Sequence, residues 1–242
     1  MFLFAIVYLR CDIPLDRVMA VQANRRASVA GLTLTEGNSV GELFSGEGGA
    51  ALNAAGSHFT VVASVIRDSV VGFVRFGGGL RTRDDATLVL RGSTLTGNRG
   101  IGAIANGSRS AAVLADSTIS GNSANNAGAV YVTSASAQLI NMTITANQES
   151  FGGVETDVPQ LSLRNSLIAG NSNTDTTGPM RSYGYNLIRQ PRRRDRIHSA
   201  RRSGGQWGHA AGRQLSPLAI HSGQVPTQIP LGGSPAQAVI FG

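Results

Sequence analysis

One short run constrains this chain more than any other feature. Residues 117–123 read STISGNS, and close variants of that run recur along the sequence. Aligned on their Asn, the variants are TLTEGNS at Asn38, STLTGN at Asn98, STISGN at Asn122, MTITAN at Asn147 and SLIAGN at Asn171. A degenerate copy, SVIRDS, places Ser69 where the Asn is expected. The anchors are 31, 29, 24, 25 and 24 residues apart. Between them stand a small-residue pair followed by an apolar residue, as in GGAAL at Gly48, and an alternating β-rich run, as in HFTVV and QLSLR.

A period near 24 with three short β-rich runs is too short for a propeller blade, and it lacks the long apolar stripe of a helical repeat. It fits one coil of a parallel β-helix. Strand alternation sends Leu161 and Leu163 inward, with Ile168 from the next run, and leaves Ser162 and Arg164 facing water. A single coil cannot bury its apolar side, so neighbours stacked about 4.8 Å away must complete both core and backbone pairing. The expected fold is all-β: a solenoid of about five to six coils over residues 28–172. Residues 1–27 are expected to form an N-terminal strand or cap, and residues 173–242 an irregular C-terminal cap. The cap segment holds six of the eight Pro and contains an Arg-rich loop at 189–213.

The repeated Asn has a physical reason. Its short amide tolerates unusual backbone angles at a tight turn, and in stacked turns it offers donors and acceptors to its equivalents above and below. Asn38, Asn98, Asn122, Asn147 and Asn171 are therefore read as a structural ladder rather than a row of ligand-binding amides. The small-residue pairs are read as turn glycines that allow positive φ. They are Gly48, Gly49, Gly77, Gly78, Gly102, Gly128, Gly152 and Gly153.

Charge narrows the partners. The net charge is +7 and every basic residue is Arg. Residues 189–213 hold eight Arg and one acid, so the rest of the chain is neutral. The basicity belongs to one segment, which makes nucleic acid an unexpected partner. Arg192, Arg193 and Arg194 are the residues in it that would meet a polyanion. The apolar opening MFLFAIVYLR is too short to span a bilayer and lacks a basic leader region and a cleavage site. The single Cys, Cys11, excludes an intrachain disulfide and a Cys-based metal site.

Catalytic constellations are sparse. Polysaccharide-cleaving β-helices need clustered carboxylates or acids that hold a cation. The densest cluster is RTRDD, where Asp84 and Asp85 stand beside Arg81 and Arg83. Adjacent strand residues point to opposite faces, so it is read as a turn with local ion pairing. Asp68, Asp116 and Glu155 occupy different positions within the repeat. None of His58, His198, His209 and His221 has metal-ligand spacing, and no nucleophile elbow or phosphate loop occurs. No catalytic residue, metal or cofactor is expected.

Residues 28–172, through GLTLTEGNS, DSTISGNSANNAGAVYV and NSLIAGNS, resemble bacterial right-handed parallel β-helix repeat proteins of the cell envelope. Polymorphic outer-membrane proteins share the glycine-pair and Asn-turn style. The tail motifs SYGYNLI and LSPLAIHSGQVPTQIPLGGSPA resemble the C-terminal region called choice-of-anchor Q. The resemblance implies an extracellular or cell-surface location and a structural or adhesive role, with surface glycans or envelope proteins as partners. A carbohydrate-active β-helix enzyme is the alternative. Two departures stand out: Gln237 and Ala238 follow the final Ser-Pro-Ala where the group has Ile-Asp, and 189–213 is basic where the group is polar or acidic. They lead to the expectation of a fragment, or of an altered reading frame across that loop.

Overall fold

The computed structural model describes residues 7–10, 17–40, 47–72, 76–124, 127–148, 151–189 and 197–199. No helix occurs among them. Three parallel sheets of eight, seven and eight strands run the length of a β-solenoid. Each coil visits them in a fixed order. In the fourth stretch of repeat, Ile104–Asn106 lies in the second sheet, Ala111–Ala115 in the third and Thr118–Ser120 in the first. The parallel β-helix expected from the period is the fold observed.

Register follows the repeat. Leu34, Ile66, Leu95, Ile119, Ile144 and Ile168 stack as one inward column of the first sheet, and each is fully buried. Val61, Leu90, Leu114, Leu139 and Leu163 form a matching column of the third sheet. These columns meet in one continuous core with Leu80, Ile104, Val130 and Val154 of the second sheet. Each fully buried aliphatic side chain contributes about 1.5–3 kcal/mol. Stacking like on like is what allows such short strands to be stable.

Most corners of the coil contain a residue in the left-handed region. Before the third sheet these include Gly56, Asp85 and Arg109; between third and first, Gly92, Asp116, Asn141 and Asn165; after the first, Asp68, Gly97, Gly121 and Gly170. Asn, Asp and Gly adopt that conformation at least cost, which accounts for the turn-rich composition.

Five turns between Ala51 and Ala169 are regular, and solenoid strands continue on both sides of them. Val7–Arg10, Met19–Val21 and Arg26–Ala30 pair ahead of them. Thr176–Thr177, Met180–Ser182 and Leu187–Ile188 pair behind them. The three sheets thus reach past residues 28 and 172. Of the Arg-rich stretch, Arg189 and the strand Ile197–Ser199 are described, the strand pairing with Met180–Ser182. Arg192, Arg193 and Arg194, and the tail motif at 215–236, lie outside the described residues.

Candidate functional site: stacked corners and the outer face of the second sheet

The Asn corners form a directional ladder. Asn98 donates both its backbone N–H and its side-chain Nδ2–H to Asn122 Oδ1, each at 3.0 Å. Asn122 does the same to Asn147 Oδ1 at 3.1 and 2.9 Å, and Asn147 to Asn171 Oδ1 at 3.2 and 2.9 Å. The second Nδ2 proton satisfies a strand carbonyl, as from Asn122 to Leu95 at 3.1 Å. All four amides are buried. A chain of donors that all point one way needs a pure acceptor at its end, and an ionised carboxylate is one. Asp175 stands there: its Oδ1 accepts from the N–H and Nδ2 of Asn171 at 3.0 and 3.1 Å, while Oδ2 lies 3.5 Å from Arg189 Nε. This terminator escaped sequence reasoning, although its spacing of four residues from Asn171 was a usable signal.

Asn38 is not a rung. Leu34 aligns with Ile66 and Leu95, yet the chain has one more residue between Leu34 and Asn38 than between Leu95 and Asn98. Gly37 therefore falls at the ladder position and donates its N–H to Ser69 Oγ at 3.2 Å. Ser69 in turn donates its N–H to Asn98 Oδ1 at 3.2 Å. Asn38 instead pairs with Val70 in a two-stranded sheet of Asn38–Ser39 and Val70–Val71, and its Oδ1 accepts from the N–H of Val40.

A second ladder, of serines, lies at the corner between the third and first sheets. Ser64 and Ser93 donate their N–H groups to the hydroxyls of Ser93 and Ser117, both at 3.1 Å. Each hydroxyl returns its proton to the carbonyl two residues earlier, as Ser93 does to Arg91 at 2.8 Å. The signal was present as the first letter of the STLTGN and STISGN runs; the more conspicuous Asn obscured it.

The glycines divide by cause. Gly48, Gly77 and Gly102 adopt positive φ of 69°, 73° and 74°, as expected. Gly49, Gly78 and Gly153 are required by close approach instead. A Cβ on Gly78 would meet the backbone of Arg99 at 2.7 Å, and one on Gly153 would meet Asn171 Nδ2 at 2.6 Å. Gly128 and Gly152 lie in the paired strands Ala127–Val132 and Gly152–Thr156.

The acids do not converge. Asp68 pairs with its neighbour Arg67 at the corner after the first sheet, at 2.6 Å. Asp116 accepts from Asn141 Nδ2 at 2.6 Å at the preceding corner. Glu155 lies in a strand of the second sheet. In RTRDD the pairing is between coils: Asp85 accepts two bonds from Arg109 at 2.8 and 2.7 Å. The Arg109 guanidinium, chiefly through that hydrogen bonding, holds the Asp85 carboxyl below its usual range. Arg81 and Arg83 turn to Glu47 Oε2, at 3.2 and 3.6 Å.

Arg81 is the unusual member. It points outward from the second sheet, in register with Leu52 and Ala105, yet is only 8% exposed. Its guanidinium lies over the Phe76 ring, 4.7 Å from the centroid, and Phe76 stacks on Tyr131 with centroids 5.7 Å apart and planes 17° off parallel. Tyr131 aligns with Glu155 one coil further on. Burial first, and then Glu155, raise the Tyr131 hydroxyl above its ordinary value. Among the described residues no group of His, Cys, Asp and Glu is arranged to hold a metal ion, and no helix is long and apolar enough to cross a membrane.

Fold and corners together define a parallel β-helix with internal amide and hydroxyl ladders. Comparison with protein-family models, with curated proteins and with solved structures finds no match.

Proposed function

We propose that this chain is a non-enzymatic structural or adhesive β-helix whose regular outer rows contact glycans or other proteins at the cell surface or outside the cell. The observation that carries the reading is the contrast between dispersed acids and aligned outward rows. Asp68 and Asp116 stand at different corners of the coil and Glu155 in a strand of the second sheet. On the third sheet, Ser28, Thr60, Val89, Val113, Gln138 and Ser162 form a single outward row in register, polar at four of its six positions. Side chains held at a fixed spacing suit weak contacts repeated along an extended partner. The bacterial envelope origin, and attachment through a choice-of-anchor Q-like region, rest on the resemblance of SYGYNLI and LSPLAIHSGQVPTQIPLGGSPA to that region.

The test is a panel of neutral and acidic polysaccharides and of envelope protein extracts, scored for both retention and product release. Retention without release is the expected result. Release of oligosaccharide that Glu155→Gln abolishes would establish the carbohydrate-active alternative and end this reading.

A further inference from the structure

The Arg81 cluster has a donor that the fold leaves unmet. Arg81 Nη1 is buried and has no hydrogen-bond partner, whereas Nε is held by Glu47 and the guanidinium plane rests on Phe76. Gly107 lies against the same guanidinium, where a Cβ would stand 2.7 Å from Arg81 Nη2. Glu47, Phe76, Arg81 and Tyr131 reach the spot from three different coils, with the coil of Ala105 lying between Arg81 and Tyr131. A buried donor of this charge left without an acceptor is costly, and an ionised acceptor satisfies it best.

The surroundings select the acceptor. Arg81 and Arg83 share the one carboxylate of Glu47. Glu155 and Asp157 lie one coil beyond Tyr131; Asp157 is already bonded to the Thr133 hydroxyl and the Ser134 N–H, at 2.8 and 2.9 Å. Arg83 is exposed, and Glu47, Phe76 and Tyr131 are each partly open; a ligand arrives from the side they share. Tyr131 offers apolar ring surface for the C–H face of a sugar, and Arg81 offers a fixed cation for a carboxylate.

We propose that the outer face of the second sheet carries an acidic-sugar site, in which Arg81 binds the carboxylate of a uronic acid unit and Tyr131 supports its ring. This rests on the glycan-contact reading above and narrows it to one ligand class and one place.

The experiment is titration calorimetry with a galacturonate hexamer, its fully methyl-esterified form and hexaglutamate. The proteins are the full chain, Arg81→Gln, Arg81→Lys, and a triple Arg192→Gln, Arg193→Gln, Arg194→Gln variant. The hexamer is expected to bind the wild type and the triple variant alike, and Arg81→Gln about tenfold or more weakly. The methyl ester, which keeps the ring and loses the charge, is expected to bind the wild type as weakly as the hexamer binds Arg81→Gln. Because that comparison uses the wild type, it stands even where Arg81→Gln fails to fold. Equal binding of hexamer and ester, binding lost in the triple variant instead, or hexaglutamate bound as tightly as the hexamer would each overturn the site. So would an inert wild type. Retention of neutral glycans in the panel described above would then leave the broader reading standing.

Discussion

At Asn122 one short amide links three coils. Its Oδ1 accepts two hydrogen bonds from Asn98, and its Nδ2 gives one to Asn147 and one to the Leu95 carbonyl, while the Asn122 backbone N–H gives a second to Asn147. Replacing Asn122 with Ala leaves the buried N–H and Nδ2 donors of Asn98 without their acceptor and takes one of two donors from Asn147, and a cost of about 3 kcal/mol is expected. Asn38→Ala touches no rung and should stay within about 0.5 kcal/mol of the parent. Urea melts of the two variants decide the matter; equal losses would mean that the ladder does not begin at Gly37 and Ser69. A second expectation at this scale concerns Tyr131. Its folded-state pKa is raised above the ordinary 10.0, so the folded protein holds its proton more firmly than the unfolded chain does. The associated stability is present below pH 10 and is lost as pH rises through the folded value. Tyr131→Phe should remove that part of the alkaline decline in Tm. An unchanged slope above pH 10 would contradict the burial assigned to the hydroxyl.

Individual elements are strands of two to six residues joined by tight corners, many of them left-handed, and glycine serves them in two ways. Gly31 has φ of 66° with nothing within 4 Å of a would-be Cβ, whereas Gly78 is hemmed in by the backbone of Arg99. Gly31→Asn is expected to cost well under about 1 kcal/mol. Gly78→Ala should cost about 3 kcal/mol, because no flexible side chain can give way. Thermal melts that rank them the other way would refute the close-approach argument. Much at this scale was legible in the sequence, since Leu161, Leu163 and Ile168 alternate inward as their neighbours dictate. The slip at Asn38 arose from one inserted residue, which leaves the motif readable while moving the Asn off its column. The Asp85–Arg109 pair was half legible, because a pairing across 24 residues becomes local only once coils stack. The Arg81–Phe76–Tyr131 stack follows no period, and nothing in a linear reading brings those residues together.

At the scale of the molecule, the described residues form a core closed from coil to coil, with hydrogen-bonded ladders at its corners and outward rows on its sheets. Residues one repeat apart are therefore neighbours about 4.8 Å apart. Val113 and Gln138 are such a pair, in register on the third sheet, while Ile140 is the partner of Ala115. Both pairs point outward, so cysteines can be placed without disturbing the core. Disulfides require Cα atoms within about 7 Å. In a Cys11→Ser background, Val113→Cys with Gln138→Cys should oxidise to an intrachain disulfide, seen as a mass loss of two hydrogens and a faster-migrating unreduced band. Val113→Cys with Ile140→Cys, offset by two residues, should stay reduced under the same conditions. Cross-linking of the offset pair but not the aligned one, or of neither, would contradict the stacked register on which every other conclusion depends.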